Sequence, residues 1–479
     1  MITRVEIRRG EYHDSVRLMQ ASRALLDAPG IDEALVAMAT DLNLGLLEDL
    51  GFMLDPAESA GPNDLLVAAR ARDEAALGGA LQVLADRLAP SLATGPGPML
   101  PPPPHTVEAA ARAVGANLAL VSVPGPHAFV EAMAALRSGL HVMVFSDNVP
   151  VEQEVVLKQV ANELALLVMG PDCGTAIVGG VGLGFANAVR PGPVGITGAS
   201  GTGIQQLSCL LDDAGVGTRH ALGTGSRDLS AEVGGASTLQ ALAALDADPA
   251  IEVIVVVSKP PAPAVAARVR ERAMGCETPV VLTFLGEEGV TLEGAAEAVL
   301  TRLGRTMPSP LSWPSAPGID PRPGSLRGLF SGGTLRDEAR SIASARLGPA
   351  AIDARAEGHR LVDLGGDEFT RGRAHPMIDQ RLLFDHFEEV IGDDTTGVVL
   401  LDVVLGYGAH PDPASGLVPA IERAVERDIG VVVSLCGCAG DPQDRDRQAQ
   451  TLQGAGASVW SSNAAAVRHA VALVGRGER

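Results

Sequence analysis

A glycine-rich turn between an apolar segment and a helix-like segment constrains this 479-residue chain more than any other feature. Residues 194–197 predict a short buried strand, and residues 204–213 have helical spacing that ends before Gly215. The sequence Gly-Ala-Ser-Gly-Thr-Gly at 198–203 lies between them. Such a turn leaves backbone N–H groups free at the positive end of a helix dipole, so it predicts an anion site. A well-capped helix of an ordinary α/β protein is the alternative explanation.

The same alternation of strands and helices continues through residues 1–88, 105–180, 190–306 and 326–479, and it predicts parallel sheets. Proline-rich segments at 89–104 and 307–325 predict linkers. In open parallel sheets, ligands bind at the carboxyl ends of the strands. Polar loops follow three of the predicted strands, and they supply Ser146, Asn148 and Cys173 as candidate substrate-binding residues.

The composition restricts the classes of binding partner and the cellular compartment that we expect for the chain. Asp and Glu number 58 against 37 Lys and Arg, a net charge of -21, which argues against nucleic acids and anionic membranes. The five scattered cysteines suit reduced thiols, and Cys436-Gly-Cys438 is too closely spaced for a usual zinc pair, so we expect no metal. Without an apolar leader or a long apolar run, we expect a soluble cytoplasmic protein.

A second strand–turn–helix pattern echoes the first. Residues 328–339 read Gly-Leu-Phe-Ser-Gly-Gly-Thr-Leu-Arg-Asp-Glu-Ala, with glycines and a threonine between an apolar segment and a helix-like one. Internal duplication of an α/β unit explains the echo. A more specific hypothesis is that two nucleotide-binding-like domains dock with their glycine turns facing one cleft.

These residues resemble the succinyl-CoA synthetase superfamily, and the chain is identified as a member of the FdrA family over nearly its whole length. The resemblance rests on several short motifs: residues 145–149, Phe-Ser-Asp-Asn-Val; 169–175, Met-Gly-Pro-Asp-Cys-Gly-Thr; 198–204, Gly-Ala-Ser-Gly-Thr-Gly-Ile; 227–230, Arg-Asp-Leu-Ser; 258–261, Ser-Lys-Pro-Pro; 332–334, Gly-Gly-Thr; 375–379, His-Pro-Met-Ile-Asp; and 400–404, Leu-Leu-Asp-Val-Val.

The resemblance implies a multidomain α/β fold, with a Rossmann-like CoA-binding-type domain followed by two flavodoxin-like ligase domains of the succinyl-CoA synthetase type. We place the first domain at 1–185, including the linker at 89–104. The second domain, at 186–306, resembles the synthetase α subunit. The Pro-rich linker at 307–325 separates it from the third, at 326–479, which resembles the carboxyl domain of the synthetase β subunit.

The chain departs from the synthetase in two ways. Nothing in it resembles an ATP-grasp domain, and the loop after the predicted strand 280–284 contains no histidine up to Arg302, so the phosphohistidine is missing. The phosphate clamp of the resembled enzyme corresponds to Ser200, Gly201, Thr202 and Gly203 on one side and to Gly365 and Gly366 on the other. Lys259 is one of only two lysines in the chain. It lies at the strand end near which the resembled enzyme has a glutamate in a glycine-rich turn. A compact ammonium there suits an anion.

The resemblance implies an oxamate carbamoyltransferase subunit, which transfers a carbamoyl group between oxalurate and phosphate in purine degradation. We expect it to act with partner subunits and to form a homo-oligomer. It requires no cofactor, although CoA or a nucleotide could bind the N-terminal domain. Two other functions stay open, a CoA-dependent acyl-CoA synthetase component that needs a separate ATP-grasp partner and a noncatalytic regulatory subunit. Candidate catalytic residues are Lys259, His375 and Arg227, and further substrate-binding candidates are Arg371, Arg373 and Asp402.

Overall fold

The computed structural model describes residues 1–11, 13, 15–53, 60–89, 104–315, 323–348, 352, 358–370 and 374–474. Arg371, Arg373 and most of the predicted linker at 89–104 therefore lie outside the described residues. The chain divides into two compact units, one of them Met1–Ala110 with Ser122–Pro124 and Thr370–Ala374, the other Ala111–Val121, Gly125–Phe369 and His375–Arg479. Among the described residues, no helix is both long and apolar enough to span a bilayer.

The N-terminal unit contains a three-stranded sheet with helices between its strands. Its elements are β1 Ile2–Arg8, α1 Ser15–Leu26, β2 Ile31–Met38, α2 Asp41–Asp49, β3 Leu65–Ala71 and α3 Glu74–Leu88. The strand order is β1-β3-β2, and β3 pairs antiparallel with both neighbours. The parallel pairing expected for residues 1–88 is therefore wrong. The helical connection makes β1 and β2 run in the same direction, but β3 lies between them and runs the opposite way.

The second unit begins with a small parallel sheet in the order β4-β5-β6. Its elements, with the helix that precedes them, are α4 Val107–Val114, β4 Leu118–Val121, α5 Gly125–Arg137, β5 His141–Val144, α6 Val151–Glu163 and β6 Val168–Met169. The candidate residues Ser146, Asn148 and Cys173 follow the carboxyl ends of β5 and β6, where the alternation of elements predicted them.

A six-stranded sheet follows, in the order β12-β11-β9-β10-β7-β8. Strands β9 to β12 are parallel, and β7 and β8 form an antiparallel hairpin at one edge. The elements are β7 Thr175–Val178, β8 Val181–Gly184, β9 Val194–Ala199, α7 Gly201–Asp213, β10 Thr218–Gly223, α8 Ala236–Asp246, β11 Val253–Ser258, α9 Pro263–Met274, β12 Val280–Phe284 and α10 Leu292–Arg302. The helix predicted at 204–213 is thus α7, which begins three residues earlier.

The last sheet also has six strands, in the order β13-β18-β17-β16-β14-β15, and all but the edge strand β13 are parallel. Its elements are β13 Ser312–Trp313, β14 Ser325–Phe330, α11 Gly333–Leu347, β15 Arg360–Asp363, α12 Asp367–Thr370, α13 Arg381–Gly392, β16 Thr396–Val404, α14 Pro413–Glu426, β17 Gly430–Cys436, α15 Arg445–Gly454, β18 Ser458–Trp460 and α16 Asn463–Leu473. Strand β13 lies within the segment that was expected to be a linker.

The cores of the two large sheets consist mainly of aliphatic side chains. All nine residues of β16 are buried, as are all residues of β9, β11 and β14. Continuous burial of this kind is typical of parallel strands that have helices on both faces. The fold is therefore a multidomain α/β fold with mixed sheets, and the polar turns at the carboxyl ends of the strands lie at the sheet edges.

Candidate functional site

The first glycine turn has the geometry that the sequence predicts. Ser200 is the N-cap of α7 in extended backbone, and its Oγ accepts a hydrogen bond from the Gly203 N–H at 3.0 Å. Thr202 and Gly203 are buried, whereas Gly201 is partly exposed. The serine thus fixes the first turn of α7 through a local contact.

The second turn, between β14 and α11, is held by a distant residue. Gly332 is the N-cap of α11 and has no side chain to cap the helix. Instead, Asp402 on β16 accepts the N–H of Ser331 at 2.6 Å and the N–H of Gly332 at 2.8 Å. Burial raises the pKa of the Asp402 carboxyl to about 7, although the two backbone hydrogen bonds lower it. Asp402 therefore acts within this turn as its capping carboxylate.

The two turns are in direct contact. Ser200 Oγ donates to Thr334 Oγ1 at 2.7 Å, and a Cβ added at Gly332 would lie 2.7 Å from Thr202 Oγ1. The turn that faces α7 is therefore residues 332–334, and not Gly365-Gly366 as the clamp hypothesis expected. Gly365 follows β15, which flanks β14 at the edge of the sheet, and its added Cβ would meet Ser331 O and His375 rather than the α7 turn.

Lys259 lies at the N-terminus of α11. It follows β11, which neighbours β9 in the sheet. A Cβ added at Gly333 would lie 2.5 Å from Lys259 Nζ and would overlap Asp363 Oδ2. Burial raises the pKa of Asp363, and the charges of Lys259 and Arg336 lower it, with a net rise. The lysine is partly exposed, and its Nζ and the Asp363 carboxyl both lie next to Gly333.

We call residues 200–203, residues 332–334 and Lys259 the cradle. Within the described part of the chain, four backbone N–H groups in it have no hydrogen-bond partner, those of Gly201, Thr202, Gly333 and Thr334. Each helix N-terminus carries a partial positive charge of roughly +0.5. Two such ends and one ammonium together form a site that suits an anion with several oxygens.

Gly365 and His375 lie on the other side of the Ser331 turn. A Cβ at Gly365 would overlap Ser331 O and would lie 2.7 Å from His375 Nε2. Burial of the ring lowers the pKa of His375 to about 4, although part of the residue reaches the surface. The Met377 N–H donates to Nδ1 at 3.2 Å. The imidazole is therefore neutral at neutral pH and carries its proton on Nε2. The catalytic role of His375 and the phosphate-binding role of Gly365 and Gly366 stay predictions.

The other predicted residues lie on the loops at the strand ends. Cys173 is 2% exposed, and burial raises the pKa of its thiol to about 12, so it is a packed, protonated side chain. Ser146 is buried, and its Oγ donates to Val121 O at 3.4 Å. Asn148 is exposed in left-handed backbone with φ 52°. Arg227 donates to Val149 O at 2.7 Å and keeps 39% of its side chain exposed.

The contact between residues 200–203 and 332–334 agrees with the hypothesis that the two echoing glycine turns face one cleft. Two features of this region carry no signal that the sequence analysis used, Asp363, which belongs to the glycine motif at 361–366, and Arg336. Within the described residues, no group of three histidine, cysteine, aspartate or glutamate side chains is arranged to hold a metal ion.

Comparison with known proteins identifies the class of the chain. Residues 189–285 match the CoA binding domain family and residues 329–473 match the CoA-ligase family, while residues 1–96 match a family described as AllF, heavy metal-associated domain. The chain is therefore a protein built from CoA-binding and CoA-ligase domains. The CoA-binding match lies within the predicted second domain, and the predicted domain boundaries stay a prediction.

Full-length similarity identifies the family. The chain is 36% identical to the uncharacterized protein YahF of Escherichia coli K12 over 97% of both chains. It belongs to the FdrA/AllF-like family of succinyl-CoA synthetase-like proteins. It is also 31% identical to a succinate–CoA ligase subunit alpha of Archaeoglobus fulgidus, over 25% of this chain and 43% of the relative, and 27% identical to that of Aquifex aeolicus, over 32% and 52%. The similarity thus spans about half the length of these ligase subunits.

These findings correct one expectation. The matched domain families are CoA-binding and CoA-ligase families and the matched subunits belong to ligases, so the classification as a carbamoyltransferase is wrong. The heavy-metal description of the N-terminal family also does not fit this chain. Residues 1–96 contain no cysteine and a single histidine, His13, whereas soft metal ions need thiolate ligands.

Proposed function

We propose that this chain is a subunit of a CoA-ligase-type enzyme, and that its cradle binds phosphate or the phosphoryl group of an acyl phosphate. The observation that carries the proposal is the contact between Ser200 and Thr334, which brings two helix N-termini together beside Lys259. The chain as a whole is strongly acidic, so local donors such as these are needed to attract an anion.

The proposed reaction class is exchange between an acyl phosphate and an acyl-CoA. In the forward direction the thiolate of CoA forms a bond to the acyl carbon, the bond from that carbon to the phosphate oxygen breaks, and phosphate leaves with the electron pair. The cradle would stabilise the charge on the leaving phosphate, because backbone N–H groups and Lys259 lie where that charge develops. Such a role needs positioning and charge stabilisation rather than a nucleophilic side chain.

We further propose a separate ATP-using partner subunit. The loop after β12 carries no histidine that could relay a phosphoryl group, and no segment resembles an ATP-grasp domain. The related succinate–CoA ligase chains are themselves named as alpha subunits. On the partner, a carboxylate oxygen of the acid would attack the γ-phosphorus of ATP and release ADP, and this chain would bind the resulting acyl phosphate together with CoA.

Calorimetry with inorganic phosphate and acetyl phosphate tests the cradle. Lys259→Ala removes the side-chain cation, and we expect affinity to fall roughly 10-fold or more, the range of a hydrogen bond to a charged group. Arg346→Gln is the matched control, because it removes one positive charge from the exposed last turn of the same helix. Equal affinity of Lys259→Ala and wild type would reject the cradle.

Activity is tested with the co-encoded partner subunits. We expect formation of an acyl-CoA from a carboxylic acid, ATP and CoA, and loss of most of it in Lys259→Ala. Phosphate binding without turnover in any combination would instead indicate the noncatalytic regulatory role.

A further inference from the structure

Lys158 is the centre of a buried charge network. Its Nζ donates to Glu154 Oε1 at 2.7 Å, to Asp228 Oδ1 at 2.7 Å and to Thr224 O at 2.9 Å. The lysine side chain is 1% exposed and both carboxylate side chains are 0% exposed. An ammonium has three donors, so this one is fully satisfied.

The network extends to a fourth charge that is not buried. Glu154 Oε2 lies 2.9 Å from Arg227 Nη2 as an ion pair without the geometry of a hydrogen bond, and the same nitrogen donates to Val149 O at 2.7 Å. Two cations and two carboxylates therefore balance one another. A buried ion pair contributes little to stability on balance, because desolvation offsets its attraction. Its effect here is positional, since it fixes one end of the Arg227 guanidinium.

The rest of that guanidinium faces outward. Arg227 Nε and Nη1 have no hydrogen-bond partner in the part of the chain that the structure describes. A planar guanidinium whose orientation is already fixed loses little rotamer entropy on binding, and it favours carboxylate or phosphate oxygens.

The loop that carries Arg227 is held at both ends by Lys158, through Thr224 O and Asp228 Oδ1. The same loop joins the cradle's strand, because the Thr224 N–H donates to Gly198 O at 2.8 Å. Strands β9 and β10 are neighbours in the sheet, and adjacent strands lie about 4.8 Å apart. Arg227 and the α7 turn are therefore at the same edge of the sheet, with Lys259 on the other side of β9.

We infer that Arg227 forms an anion subsite beside the cradle and that Lys158, acting through Glu154, is its positioning residue. The ligand is a pair of anionic oxygens, either a second carboxylate of the acyl substrate or a phosphate of CoA. This inference rests on the proposed function, because it assumes that the phosphoryl group occupies the cradle.

Calorimetry on the full chain distinguishes the two sources. The probes are succinate, butyrate as its monocarboxylate counterpart, CoA and inorganic phosphate. For Arg227→Gln we expect succinate affinity to fall roughly 10- to 100-fold, the range of a charge-assisted hydrogen bond, with butyrate and phosphate affinities unchanged. Arg302→Gln, on the exposed surface of α10, is the control of equal charge and should change nothing.

A loss of CoA affinity with unchanged succinate affinity would assign the subsite to a CoA phosphate. Unchanged affinity for both, or a wild type that binds neither, would overturn the inference. Failure of the proposed function has a different signature, because the wild type would then not bind phosphate. This result does not depend on the Arg227 variants.

The positioning role has its own readout. Glu154→Gln should weaken the same ligand about three-fold or more, and the double variant Glu154→Gln/Arg227→Gln should be no weaker than Arg227→Gln alone. Additive losses would show that Glu154 does not act through Arg227. Lys158→Arg keeps the charge and should retain more affinity than Lys158→Met. Far-ultraviolet circular dichroism checks that each variant folds. If Lys158→Met does not fold, Glu154→Gln alone tests whether the network positions Arg227.

Discussion

The two turns of the cradle have the same backbone pattern, but different residues stabilise them. In the β9–α7 turn the cap is Ser200, one residue from the helix it caps. In the β14–α11 turn glycines occupy the cap positions, and the acceptor is Asp402, seventy residues away on a neighbouring strand. The comparison indicates that the α7 turn is a local structure, whereas the α11 turn depends on the folded sheet and on the ionisation of a buried acid.

The largest expected effect comes from the different amounts of room that the two turns leave for an added Cβ. In Gly333→Ala the new Cβ would overlap Asp363 and press on Lys259, whereas in Gly201→Ala the nearest atom, Thr175 Oγ1, is 3.3 Å away. We expect Gly333→Ala to weaken phosphate binding roughly 10- to 100-fold, because it displaces a charged donor. Gly201→Ala should cost less than about 3-fold, since a small shift relieves the contact.

Calorimetry with phosphate measures both variants. Gly392→Ala is the control, because nothing lies within 4 Å of its added Cβ. Equal losses of phosphate affinity in Gly333→Ala and Gly201→Ala would contradict the predicted difference between the two turns.

The second prediction concerns pH. Burial raises the pKa of Asp402 in the folded state to about 7 from an ordinary value of 3.8, so the folded state holds this proton when the unfolded state has lost it. The stability from this group is full below about pH 4 and is lost as pH rises to about 7. Relative to Asp402→Asn, the wild type should lose on the order of 3 kcal/mol of unfolding free energy across that window.

Urea unfolding at several pH values measures this difference. Comparison with Asp402→Asn cancels the contributions of other groups, including His375, whose lowered pKa acts in the opposite direction. A pH-independent difference between the two proteins would mean that Asp402 titrates normally.

The smallest effect is expected at the local cap. Ser200→Ala removes the acceptor of Gly203 N–H and the bond to Thr334, and should destabilise the protein by about 1–2 kcal/mol. Thr291→Ala, at the N-cap of α10, removes a comparable cap bond at 3.0 Å and none to another turn. The excess cost of Ser200→Ala over Thr291→Ala in urea unfolding measures the contact between the turns, and no excess would argue that the contact is weak.

The same contrast explains what could be predicted from the sequence. The α7 turn was predictable because its strand, glycines, cap and helix are contiguous. The clamp was assigned to Gly365 and Gly366 instead of residues 332–334, because Lys259, which follows β11, and Asp363 and Asp402, on β15 and β16, meet at that turn only through the order of the strands.

Two other features depended on information that lies outside the local sequence. The antiparallel pairing of β3 with β1 and β2 is set by strand order, which alternation of strands and helices does not fix. Lys158 lies in a helix whose sequence, Val-Glu-Gln-Glu-Val-Val-Leu-Lys-Gln-Val-Ala-Asn-Glu, is typical of a surface. Its burial follows from a partner, Asp228, seventy residues away.

The hydrogen bond between Ser200 and Thr334 joins residues that are 134 positions apart. Contacts of such long sequence separation form late, because the intervening chain must first be ordered. The anion site therefore does not exist in a chain in which only one of the two large sheets has folded. An anion that binds the cradle stabilises only the chain in which both sheets are folded, by RT ln(1 + [L]/Kd), so the free energy of unfolding of the completed chain rises with the concentration of that anion.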